Sequence, residues 1–143
     1  MQRRPYTSRP VIGIGNPLRG DDGVGALLAE QVGGRSVQQL TPELAEELSQ
    51  LEAVLFIDAW QVPAGAVPQL QRLSPAGIGG DSHRLEPAAL LAVSQALYGR
   101  APAAQLLLVP AHAFEHGTAL SAELQAVLPA ARALLQGWLE RHA

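Results

Sequence analysis

Three short, uninterrupted apolar runs recur along the chain, at Val11–Gly15, Ala53–Ile57 and Leu106–Val109, and stretches with helical spacing lie between them. Continuous runs of this kind suit strands covered on both faces. The intervening segments carry the marks of helices. Val24–Val32 places Val24, Leu27 and Leu28 on one face and stops at Gly33-Gly34. Thr41-Pro42 offers a capping hydroxyl followed by a proline at the first helical position, and Leu44, Leu48 and Leu51 give that helix a face to bury. Pro87–Tyr98 puts Leu90, Leu91, Leu97 and Tyr98 on one side, with Gly99 as terminator. Ser121–His142 is a long amphipathic segment whose stripe is Leu124, Val127, Leu128, Ala131, Leu135, Trp138 and Leu139; Pro129 inside it predicts a kink or a break. Ser36–Leu40 reads as a second strand, and Gln69–Leu73, with alternating polar residues, as a strand at a sheet edge. The alternation predicts an α/β fold of three layers: a twisted, mostly parallel sheet of about five strands with helices on both faces.

At 143 residues the chain is expected to form a single domain over 1–143, with the basic segment 1–9 as a flexible amino-terminal arm. A net charge of −3 gives no general attraction to nucleic acid or to an anionic membrane. The absence of cysteine excludes disulfides, thiolate metal sites and cysteine nucleophiles. The apolar run after the basic start is too short for a secretory signal, and no segment approaches the roughly 20 apolar residues of a membrane span. A soluble, cytoplasmic, monomeric protein is expected.

In sheets of this kind, ligands bind beyond the carboxyl ends of the strands. The loop after the first strand belongs to the stretch Gly13–Gly25, GIGNPLRGDDGVG, and holds Asp21 and Asp22. Asp58 ends the third strand, and His83 lies in the loop before the Pro87 helix. The rule brings these segments to one edge. Several chemistries compete there. A dinucleotide site is disfavoured because the glycine after Gly13 and Gly15 is Gly20, Pro17 delays the helix, and two carboxylates at its start repel phosphate. Asp22, Asp58 and His83 suit a zinc- or nickel-type ion, and a carboxylate pair suits general acid–base work. The plain alternatives are that Asp21 or Asp22 caps the first helix, that Asp58 caps a turn, and that His83 is an ordinary loop residue. His112-Ala113-Phe114-Glu115-His116 matches the H-x-x-E-H pattern of inverted zinc peptidases, but that pattern needs a helix, and here it follows Pro110 and is stopped by Gly117. No G-x-S-x-G elbow is present.

The stretch GIGNPLRGDDGVG resembles the amino-terminal signature of the hydrogenase maturation proteases: a strand, then G-x-G-N, then D-[DE]-G-x-G. The later order is similar too, with Asp58-Ala59 ending an apolar strand, Ser82-His83 before a helix, and Phe114-Glu115-His116-Gly117 with Leu120-Ser121 resembling the family's F-E-x-G-x-x-L-S segment. The resemblance implies an endopeptidase that removes the carboxyl-terminal extension of a nickel-loaded hydrogenase large-subunit precursor. It implies Asp22, Asp58 and His83 as the catalytic and metal-contacting residues. It also implies that the metal is the nickel of the substrate, for which zinc or cadmium can substitute, with no tightly bound cofactor. One segment departs from the pattern: where many members have D-G-G-T after the second strand, this chain has Gln38-Gln39-Leu40-Thr41. That departure motivates a rival expectation, a binding or assembly factor that recognises a metalloprotein through the same fold and site without cutting it.

Overall fold

The computed structural model of the protein describes residues 10–63, 65–75 and 82–142, the side chains of 82–85 apart; the expected arm over 1–9 lies outside the described residues. Five strands form one sheet: β1 (Val11–Ile14), β2 (Arg35–Val37), β3 (Ala53–Gln61), β4 (Gln69–Leu73) and β5 (Ala103–Ala111). Their spatial order is β2-β1-β3-β5-β4, all parallel except β4, which runs antiparallel to β5 at the edge. Among the described residues four α-helices accompany them: α1 (Val24–Gln31), α2 (Leu44–Ser49), α3 (Ser82–Tyr98) and α4 (Ala122–Arg141).

The period-two geometry of β3 explains the three layers. Leu55 and Ile57 face a core shared with Val24 and Leu28 of α1 and with Leu124, Leu128, Leu135 and Trp138 of α4. Val54 and Phe56 face the opposite core, against Leu44 and Leu48 of α2 and Leu90 and Leu91 of α3. A strand buried on both faces needs apolar residues at every position, and this is the run visible in the sequence.

The differences from expectation are local. The second strand is Arg35–Val37, because the Val37 carbonyl is taken by Gly15 N (2.9 Å) and the chain then bends. Thr41-Pro42 does not start α2: their carbonyls accept from Leu44 N and Ala45 N in a lead-in turn, and no side chain caps the helix. β3 and β5 both outrun their apolar centres because they pair with each other from Ala53↔Ala103 to Gln61↔Ala111. α3 starts at Ser82, more than a turn before Pro87, so His83 is in its first turn and not in a preceding loop. The buried stripe of α3 ends at Ser94, whose Oγ donates to the Arg100 carbonyl (2.7 Å), and Leu97 and Tyr98 are exposed. Pro129 does not break α4, which is anchored on either side of it by Leu128 and Ala131.

Candidate active site

The chain leaves β1 for β2 on one side and returns to β3 on the other. A crevice therefore opens at the carboxyl ends of β1 and β3, the topological switch point where open α/β sheets place their ligands. A pocket of ≈ 290 Å³ lies there, lined by Ile14, Gly15, Asp22, Gln38, Asp58, Ala59, Gln61, Glu86 and Phe114. Asp58 is not the end of its strand, as the sequence suggested, yet its placement has the same consequence. The ladder with β1 stops at Gly13↔Ile57, so Asp58 is the first residue of β3 to pass beyond that neighbour.

Asp22 reaches the pocket through the geometry of the glycine motif. α1 crosses β1 at backbone contact: a Cβ on Gly13 would stand 2.0 Å from the Gly25 carbonyl oxygen. Gly15 takes φ +134°, a region that favours glycine, and a Cβ there would stand 2.1 Å from the Asp22 carbonyl oxygen. Asn16 then makes a tight turn with its Oδ1 accepting from Leu18 N (2.9 Å), while Asn16 N donates to Asp22 Oδ2 (2.7 Å). Residues Gly20–Gly23 form a single 3-10 turn leading into α1, and neither that turn nor α1 has a side-chain cap. The capping role considered for Asp21 and Asp22 is therefore not what these residues do.

Asp21 is turned the other way and is fully buried. Its Oδ2 accepts from His112 N (2.7 Å), Ala113 N (3.0 Å) and Ser121 Oγ (2.6 Å), and its Oδ1 accepts from Ser121 N (2.7 Å). Burial pushes this carboxyl up, but the bonds from Ser121, His112 and Ala113 together outweigh it and hold the group below its ordinary value. The backbone adds to the same seam: Asp21 N donates to the Ala113 carbonyl (2.8 Å), Gly20 N to the Gly117 carbonyl (2.8 Å), and Gly117 N to the Leu18 carbonyl (2.8 Å). Only one of the two motif aspartates thus faces the site, which corrects the expectation that both do.

His83 stands three residues before Glu86 on α3, and its side chain lies outside the described residues. Asp22 and Asp58 are brought to one pocket; among the described residues no three His, Asp or Glu groups are arranged to hold a metal ion. The segment His112–His116 is not helical, and its Ala113 carbonyl accepts from Asp21 N of the motif loop, so it lacks the geometry of an inverted zinc peptidase. A larger cavity, ≈ 530 Å³, sits by the start of β5 beside Arg72, Trp138, Arg141 and His142, at the other end of the sheet from the motif. Gln61 and Glu86 were not singled out in the sequence, whereas Gln38 and Phe114 were named there within the segments compared with the family's pattern. Gln61 was hidden by the unforeseen extension of β3, and Glu86 by the early start of α3.

No protein-family model matches the sequence, and no curated protein matches it. Solved structures do share its fold. The hydrogenase maturating endopeptidase HybD from E. coli superposes with a TM-score of 0.76 at 19% identity, covering 94% of this chain and 93% of that one. The [NiFe] hydrogenase maturation protease HybD from Thermococcus kodakarensis gives 0.70 at 19% identity, over 91% and 97%. The hydrogenase 2 maturation peptidase from Thaumarchaeota archaeon SCGC_AB-539-E09 gives 0.66 at 23% identity, over 92% and 97%. The likeness covers more than nine-tenths of each chain and bears out the α/β fold.

Proposed function

We propose that the chain is a hydrogenase maturation endopeptidase that removes the carboxyl-terminal extension of a nickel-loaded large-subunit precursor. The observation that carries the reading is the convergence of Asp22 and Asp58, from separate segments, on one pocket at the switch point of a fold shared with solved maturation endopeptidases. His83, in the first turn of the helix that brings Glu86 to the same pocket, is the third residue of the proposed site.

Peptide hydrolysis adds water to a carbonyl carbon, breaks the C–N bond and delivers a proton to the departing amine. A carboxylate base takes the proton from water and returns it to nitrogen. Asp22 has one oxygen fixed by Asn16 N–H, so its orientation is set while Oδ1 remains for substrate. In this proposal the substrate's nickel is bound by Asp22, Asp58 and His83, and a precursor without nickel presents nothing for them to hold. Cleavage would then follow metal loading. We place the reaction in the cytoplasm, with the enzyme acting as a monomer; among the described residues no helix is long and apolar enough to cross a membrane.

A second reading has one specific observation in its favour. Gln38, in the segment that departs from the family's D-G-G-T, lines the pocket itself. A site altered at that wall suits a factor that binds the metalloprotein without cutting it. Incubation with nickel-loaded and nickel-free precursor, followed by intact-mass measurement, separates the two. Loss of the extension only from the loaded precursor supports the protease. A stable complex with uncut precursor overturns it in favour of the binding factor.

A further inference from the structure

We propose that Asp21 is a positioning residue for the reaction, setting the separation of the two pocket walls that carry Asp22 and Phe114. The inference rests on the endopeptidase reading and assigns a role to the motif aspartate that reading leaves unused.

The geometry is one of adjacent residues. Asp21 and Ala113 are bonded twice, once through Asp21 N to the Ala113 carbonyl (2.8 Å) and once through Ala113 N to Asp21 Oδ2 (3.0 Å). The residue after Asp21 is Asp22, the residue after Ala113 is Phe114, and both line the pocket. A double link between the preceding residues leaves each wall little freedom relative to the other. Ser121 extends the link to α4. Its hydroxyl donates to Asp21 Oδ2 (2.6 Å) and accepts from Leu124 N (3.1 Å), so the same group caps the helix and grips the aspartate. The carboxylate is fully buried, so no water competes for these donors. A neutral residue would match them poorly: an amide offers one acceptor oxygen where the site presents four bonds, and its NH₂ would face a donor.

A purely structural aspartate and a positioning aspartate differ in what their loss does to molecules that are still folded. The former lowers only the folded fraction. The latter also lowers the turnover of each folded molecule, because a shift of about 1 Å in a reacting group costs on the order of 100-fold in rate. The experiment measures cleavage of nickel-loaded precursor by Asp21→Asn, Ser121→Ala and Ser121→Thr, with rates normalised to the folded fraction from NMR. We expect kcat per folded molecule to fall roughly 10- to 100-fold in Asp21→Asn and less in Ser121→Ala, with KM within about twofold. Ser121→Thr, which keeps the hydroxyl, should recover most of the rate lost by Ser121→Ala. If Asp21→Asn does not fold, the Ser121 pair decides. Wild-type kcat per folded molecule in Asp21→Asn, or in Ser121→Ala where Asp21→Asn fails to fold, overturns the inference and leaves the endopeptidase reading standing. Full cleavage by Asp22→Asn, measured in parallel, overturns that reading and this inference with it.

Discussion

Asp21 and Asp22 are neighbours in one turn, chemically identical, and their surroundings give them opposite parts. On the Asp21 side, three backbone amides and a hydroxyl fill the carboxylate's lone pairs inside the core. On the Asp22 side, one backbone amide fixes the carboxylate and the rest of it lines an open pocket with Asp58. A carboxylate whose acceptors are all taken holds structure together; one with acceptors to spare is available to a proton, a metal or a substrate. The contrast teaches that an acidic pair in a motif need not be a catalytic pair.

The sharpest way to break this comparison is to neutralise each partner. Asp22→Asn and Asp58→Asn should each lower cleavage by about 10²–10⁴-fold, the usual worth of a positioned acid or base. The thermal melt of Asp22→Asn should move little, because Asn keeps an acceptor for Asn16 N. His112→Ala and His116→Ala should leave metal titrations of the protein unchanged. Asp21→Ala should do the reverse of Asp22→Asn in the melt: it strands the amides of His112, Ala113 and Ser121, and a loss of roughly 3 kcal/mol or more is expected in urea unfolding. An unchanged unfolding midpoint would remove the distinction between the two residues.

Acid sharpens the same contrast more gently. Asp21 is held below the ordinary value of 3.8 when folded, so its contribution is complete above the unfolded-state value and is lost as pH falls through the folded one. Stability should therefore drop below about pH 4, and Asp21→Asn should flatten that part of the curve in pH-dependent unfolding. The smallest effect belongs to neither side. The partly exposed Arg35–Glu47 pair ties β2 to α2, and Arg35→Gln should cost no more than about 1 kcal/mol and leave cleavage unchanged.

Much of this was legible in the sequence, for identifiable reasons. The strand Gln69–Leu73 and the cores of β1, β3 and β5 follow from local apolar pattern, and the pattern is what burial on one or two faces demands. The convergence of Asp22 and Asp58 on one pocket was legible because the loop after one strand and the far end of another meet by topology. What was not legible depends on partners distant in the chain. Nothing near Asp21 announces His112 or Ser121, so it reads as a second site acid. Thr41-Pro42 has the chemistry of a helix start, yet the turn it makes precedes the helix. Leu97 and Tyr98 extend an apolar stripe past the point where α3 still has a partner to cover it. Gln61 belongs to no motif, and only the length of β3 brings it to the pocket.

The bonds that close around Asp21 span 91 to 100 residues of chain. During synthesis the motif emerges before its partners, and until they follow, the Asp21 carboxylate has no donors but water. Until Ser121 has cleared the ribosome, the turn bearing Asp22 is not braced and Phe114 has no fixed place opposite it. The two walls of the pocket are thus fixed relative to each other only once Ala113 and Ser121, made after the motif, are in place.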